Sequence, residues 1–224
     1  MPSYARRHQL SNSLIYHVYN RSNNRKFIFQ EDTDFRHFID LFKLYSRKFC
    51  LKVYHWVIMS NHYHLLLEIE DPARISSFMS GLNRAYTHYY HKQNHSSGLL
   101  WQGRFKCQPI QKENYMLSCG RYIERNPVSA KIVKEAYEYP YSSAKLYCLG
   151  IADGLTTLDT LYLALSEDAC QRQKKYRLFL QDFNTQEEEL FRSFENPVGN
   201  IEFVRRLIKI NGRLIPRRAG RAKE

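Results

Sequence analysis

In the first half of the chain the apolar positions switch repeatedly between a two-residue and a helical period. Leu14 to Tyr19 is rich in β-branched and aromatic residues and reads as a strand. A polar, basic loop from Asn20 to Lys26 follows it. Phe35, Phe38, Ile39 and Phe42 then recur at helical spacing behind an acidic first turn at Glu31 and Asp32, which predicts a helix ending before Leu51. Lys52 to Met59 and His62 to Ile69 read as two apolar strands joined across a polar turn at Ser60 and Asn61. Asp71-Pro72 opens a second helix with the stripe Ile75, Phe78, Met79, Leu82, Ala85 and Tyr86. Cys107 to Ile110 is a fourth strand, and a third helix runs from near Glu113 to Asn126-Pro127. The order β-α-β-β-α-β-α is the split βαβ, ferredoxin-like arrangement of an α+β fold, with one helix added.

Beyond Pro140 the pattern becomes short amphipathic helices: Ser142 to Leu149, Thr157 to Leu165, Ala169 to Leu180, Thr185 to Phe194, and Ile201 to Ile210. The ending carries Arg213, Arg217, Arg218, Arg221 and Lys223 against Glu224, too polar to bury and read as a disordered basic tail. Met1 to Leu10 reads as a loosely held basic arm. The division expected is a catalytic domain over 1–135, a helical extension over 136–203 and a tail over 204–224.

Charge narrows the partner. A net charge of +12 suits a polyanion, nucleic acid first among them, and 17 tyrosines supply faces for unpaired bases. Arg21 and Arg25 in the first loop are phosphate-contact candidates. So are Arg104 and Lys106, which interleave with Trp101 and Phe105. The five cysteines form no CxxC pair, which argues against a disulfide framework or zinc knuckle. Without a signal peptide or a long apolar run, a reducing cytoplasm is the expected setting.

Candidate chemistry centres on His62 and His64. Alternation puts them on one strand face with Leu66 and Glu68, while Tyr63, Leu65, Leu67 and Ile69 face a core. Two imidazoles so placed can share a metal ion. On the third helix Tyr115, Cys119, Tyr122 and Asn126 fall on one face. Met116, Gly120 and Ile123 lie on a neighbouring face suited to packing on the sheet. A metal at the histidines with Tyr115 above it would make a nucleophilic phosphoryl-transfer site. His88, His91 and His95 have helical spacing too, but their polar surroundings read as a solvated helix end.

His62-Tyr63-His64 resembles the histidine–hydrophobe–histidine motif of the HUH endonucleases. Tyr115 followed by Arg121-Tyr122-Ile123-Glu124-Arg125-Asn126-Pro127-Val128 resembles the single-tyrosine transposases. The block Leu100-Trp101-Gln102-Gly103-Arg104-Phe105 and the arginine-rich ending are similar to the REP-associated tyrosine transposase branch. The resemblance implies cleavage and rejoining of single-stranded DNA beside hairpins, with Mg²⁺ or Mn²⁺ and no nucleotide cofactor. It implies that Tyr115 attacks to leave a 5′-phosphotyrosine, and Arg121 joins the candidate DNA contacts. One departure stands out. The family often takes a polar third ligand one turn after the tyrosine, and that position is Cys119, a poor magnesium ligand. Gln111, Glu113 or water would then complete the shell. An inactive, domesticated hairpin-DNA-binding protein and a hydrolase using water remain alternatives, and monomer and homodimer are both open.

Overall fold

A computed structural model describes residues 14–211 apart from 72, 183 and 195. The expected arm at Met1 to Leu10, the Pro72 helix start and the cations from Arg213 onward lie outside the described residues. Four strands, β1 (Ile15–Arg21), β2 (Lys52–Met59), β3 (His62–Glu68) and β4 (Lys106–Ile110), form one sheet in the order β2-β3-β1-β4. Every neighbouring pair is antiparallel. With α1 (Asp32–Lys48) between β1 and β2, and α2 (Ala73–Gln93) between β3 and β4, this is the expected split βαβ topology. β1 runs two residues further than expected, so Asn20 and Arg21 are strand rather than loop.

Strand alternation sorts the chain into two layers. Tyr16, Val18, Trp56, Ile58, Tyr63, Leu65 and Leu67 pack with Phe38, Phe42, Phe78, Leu82 and Tyr86 of α1 and α2. The opposite sheet face carries Ile15, Val57, Met59 and Leu66 against α3 (Lys112–Glu124), through Met116, Cys119, Tyr122 and Ile123. An irregularity in the β2–β3 register at Tyr54 gives β2 one extra residue. The residue after it, His55, reaches α3 and bonds Glu124.

After the short α4 (Asn126–Ser129), the extension follows as α5 (Ala144–Leu149), α6 (Thr160–Leu163), α7 (Ala169–Gln181) and α8 (Thr185–Arg192). Of the stretch read as a helix from Thr157, only α6 is helical. The extension builds a third apolar cluster from Tyr147, Tyr162, Tyr176 and Leu180. It is bound to α3 by two arginines. Arg121 donates to the Phe179 and Asp182 carbonyls and pairs with Glu187. Arg125 donates to the Leu180 carbonyl at 2.6 Å. Both thereby satisfy carbonyls at the end of α7, where the helix dipole favours cations. Arg121 is therefore withdrawn from the DNA contacts: its guanidinium is buried and used inside the protein.

Residues 196–200 run along the free edge of β4. Val198 N–H donates to the Pro109 carbonyl at 2.9 Å, and Gln111 N–H donates to the Val198 carbonyl at 2.8 Å. Pro109 turns its missing donor toward this edge, so it breaks no bond with β1. A last helix, α9 (Ile201–Asn211), takes up the first part of the segment read as a disordered tail.

Candidate active site

The tight β2–β3 turn sets His62 and His64 at one end of the sheet, on the α3 side. Their rings lie 5.3 Å apart and nearly perpendicular. A cleft of about 630 Å³ opens above them, lined also by Tyr19, Arg21, Arg25, Arg104, Lys106, Tyr122, Asn126, Arg192 and Phe194.

Each histidine is oriented from behind. The Asn61 amide donates from Nδ2 to the Arg25 carbonyl at 3.1 Å, which leaves its oxygen 2.6 Å from His62 Nδ1. His62 Nδ1 must then carry the proton, and the Nε2 lone pair is free for the cleft. His64 Nδ1 is 2.8 Å from Nε2 of His17, a fully buried residue of β1. The Gln108 amide commits its nitrogen to the Leu190 and Asn196 carbonyls, while its buried oxygen and the buried Nδ1 of His17 make no hydrogen bond among the described residues. With His64 Nδ1 as the donor to His17 Nε2, the Nε2 of His64 is likewise left for the cleft. Burial pulls His17 down to about 3. Burial first, then the nearby Arg21 charge, pulls His62 down to about 4. His64 lies well below the usual imidazole value, through burial and the two neighbouring histidines. All three rings are neutral near pH 7, the form that binds a metal.

The structure does not bring Tyr115 to these histidines. It is half-buried against the second apolar cluster and is not among the residues lining the cleft. The tyrosine that arrives is Tyr122, two turns and about 10 Å further along α3. Its ring centroid is 5.6 Å from His64 and 5.7 Å from His17. Burial raises its phenol pKa, while the Arg192 charge opposes that rise. One turn on, Asn126 lines the same cleft as His62.

This also removes the difficulty over the third ligand. Cys119 is fully buried in the apolar layer, and its thiol is held far above its ordinary value by burial. Gln111 and Glu113 are not among the cleft-lining residues either. Among the described residues no three His, Cys, Asp or Glu side chains come together as a metal site. The donors that can hold a hard or borderline cation are His62, His64 and the Asn126 amide oxygen, with room for phosphate oxygens.

The cleft walls are basic. Arg21 is held by Gln102, with Nε and Nη2 3.1 and 2.9 Å from its amide oxygen. Arg25 sits in a left-handed conformation, φ +56°, costly for a residue with a Cβ. The bond from Asn61 to its carbonyl helps hold it there. Sequence reasoning missed His17, Asn61, Arg192 and Phe194. His17 stood in a readable strand, but nothing local announces which histidine it meets.

No helix among the described residues is long and apolar enough to cross a membrane. No curated protein matches the chain. Among solved structures, a REP-associated tyrosine transposase bound to a REP hairpin superimposes with a TM-score of 0.56 at 21% identity, over 71% of this chain and 90% of that one. A candidate transposase from Deinococcus radiodurans R1 gives 0.39 at 20% identity, over 56% and 97%. The first likeness supports the fold just described. The family described as "Transposase IS200 like" matches residues 10–126, which contain both histidines, Tyr122 and Asn126. The chain belongs to the IS200-like transposases.

Proposed function

We propose that the protein cleaves and rejoins single-stranded DNA beside hairpins, with Tyr122 as nucleophile and Mg²⁺ or Mn²⁺ held by His62, His64 and Asn126. The observation that carries this reading is the convergence of those four side chains in one basic cleft. A partner of hairpin DNA is supported by the REP hairpin bound to the similar structure. Arg21, Arg25, Arg104 and Lys106 suit a phosphate backbone, and Tyr19 and Phe194 offer faces for unpaired bases. A cytoplasmic setting accords with five free cysteines.

When bound, the cation polarises the scissile phosphate and offsets the charge that develops on it. Asn61 and His17 keep the two imidazoles oriented toward the cleft. The Tyr122 oxygen forms a bond to phosphorus as the bond from phosphorus to the 3′ oxygen breaks. The phenol proton leaves to solvent, and the departing 3′ oxygen takes one up. The product is a 5′-phosphotyrosine and a free 3′-hydroxyl. The covalent link conserves the diester, so attack by another 3′-hydroxyl rejoins strands.

The test is incubation of labelled hairpin DNAs carrying single-stranded flanks with Mn²⁺ or Mg²⁺, followed by denaturing electrophoresis. A protein-linked band should form with the wild type and with Tyr115→Phe, and vanish in Tyr122→Phe. The reverse pattern would return the nucleophile to Tyr115. Cleavage with no linked product would identify water as nucleophile, and tight binding with no cleavage a domesticated binder.

A further inference from the structure

We propose that Arg192, carried by the helical extension, binds a non-bridging oxygen of the scissile phosphate while Tyr122 attacks it. The active site is then completed by a residue outside the stretch that matches the family. This rests on the reading of the cleft as a strand-cleaving site.

The extension is seated where such a contribution requires it. The last turn of α8 is fastened on two sides. Phe191 is buried and lies 5.7 Å from the Tyr122 ring. The Leu190 carbonyl accepts from Gln108 of β4 at 2.9 Å. Glu188, one turn back, sits 3.6 Å from Arg125. With that turn fixed, the next side chain, Arg192, lines the cleft together with Tyr122, Asn126, His62 and His64.

Its guanidinium is poised rather than consumed. Nη1 lies 2.8 Å from Glu189 and Nη2 3.9 Å from Glu188, contacts that restrain the side chain while it stays 56% exposed. A guanidinium has five N–H donors in a rigid fork, so donors remain for phosphate oxygens. The other cleft cations come from elsewhere. Arg21 ends β1, Arg25 lies in the short turn after it, Arg104 precedes β4 and Lys106 opens it. Among the described cations lining this cleft, Arg192 alone comes from the helix packed on the nucleophile's own ring. A phosphate between the histidines and Tyr122 would meet it at the attacked group, where negative charge grows in the transition state. Arginine stays protonated throughout, so this role transfers no proton.

The experiment compares Arg192→Ala and Arg192→Lys with wild-type full-length chain on saturating hairpin DNA and Mn²⁺. It reads the rate of protein–DNA adduct formation and, separately, the DNA dissociation constant. Arg192→Ala should slow the adduct ~100-fold or more, the usual effect of removing one such donor, with affinity changed far less. Arg192→Lys should recover part of the rate. Guanidinium ion at non-denaturing concentration should restore Arg192→Ala but not Tyr122→Phe. An Arg192→Ala rate close to wild type overturns the proposal. So does a loss that neither lysine nor guanidinium recovers, since that marks a structural role. If the wild type forms no adduct, or Tyr122→Phe still does, the reading of the cleft has failed first.

Discussion

The Asn126 side chain donates from Nδ2 to the Tyr122 carbonyl at 2.9 Å and to the Ile123 carbonyl at 3.2 Å. A carbonyl can only accept, so the amide nitrogen is committed to the helix and the oxygen is left for the cleft. The residue that opens α4, one turn after Tyr122, thus turns an amide oxygen toward the cleft, where the proposed cation would sit. Asn126→Ala is expected to weaken Mn²⁺ binding by at least the ~10–100-fold that loss of a supporting group costs, with the fold retained. Calorimetric titration with Mn²⁺ reads this directly. An unchanged affinity would remove Asn126 from the donor set.

The same relationship shows what was legible in the sequence. Alternation from Tyr63 to Ile69 is local, so the sheet face of His62 and His64 could be read without the fold. The choice of tyrosine could not be read from helical spacing. Tyr115 and Tyr122 share a stripe, and which one meets the histidines depends on where α3 crosses the sheet. That is set by distant contacts, among them Gly120 against His55 and the two arginines that grip α7. A local signal did exist: a polar residue follows Tyr122 by one turn, whereas a cysteine follows Tyr115. Arg121 reads as a surface cation because the carbonyls it serves lie about sixty residues away in the chain.

His17 acts through His64. Its ring is fully buried and 2.8 Å from His64 Nδ1, so removing it leaves that nitrogen unpaired in an apolar layer. His17→Leu should lower Mn²⁺ affinity ~10–100-fold, because the ligand loses the partner that fixes its tautomer. Binding of hairpin DNA without metal should change little, since His17 does not line the cleft. Parallel metal and DNA titrations separate the two, and equal losses in both would point to misfolding instead.

His55 supplies a pH test away from the cleft. Its ring is fully buried, with Nδ1 2.9 Å from Glu124 and Nε2 3.5 Å from Asp159. Burial disfavours the charge, but the two carboxylates outweigh it and lift the pKa from 6.5 to about 9. A folded-state value above the unfolded one stabilises fully below about pH 6.5 and is lost as pH rises through about 9. The contribution is on the order of 3 kcal/mol. Melting temperature should therefore fall between pH 7 and 10, and His55→Gln should flatten that fall. A wild-type curve level across this range would mean the ring is neutral in the fold.

Gly120 permits the close approach that seats α3. A Cβ there would stand 2.6 Å from His55 Cδ2 and Nε2. The ring cannot give way easily, because it is tied to Glu124 and stacked 4.3 Å from Tyr147. In Gly120→Ala the helix must lift instead, carrying Tyr122 and Asn126 away from the histidines. Overpacking of this kind costs about 1–3 kcal/mol. The adduct rate should fall further than the unfolded fraction explains, because the reacting atoms are displaced even in folded molecules. Gly103→Ala is the control, since a Cβ at that cleft-lining position meets nothing within 4 Å. Circular dichroism at the assay temperature gives the folded fraction of each variant. A Gly120→Ala protein that is fully folded and fully active would show that α3 is seated by the extension's arginines rather than by its contact with β2.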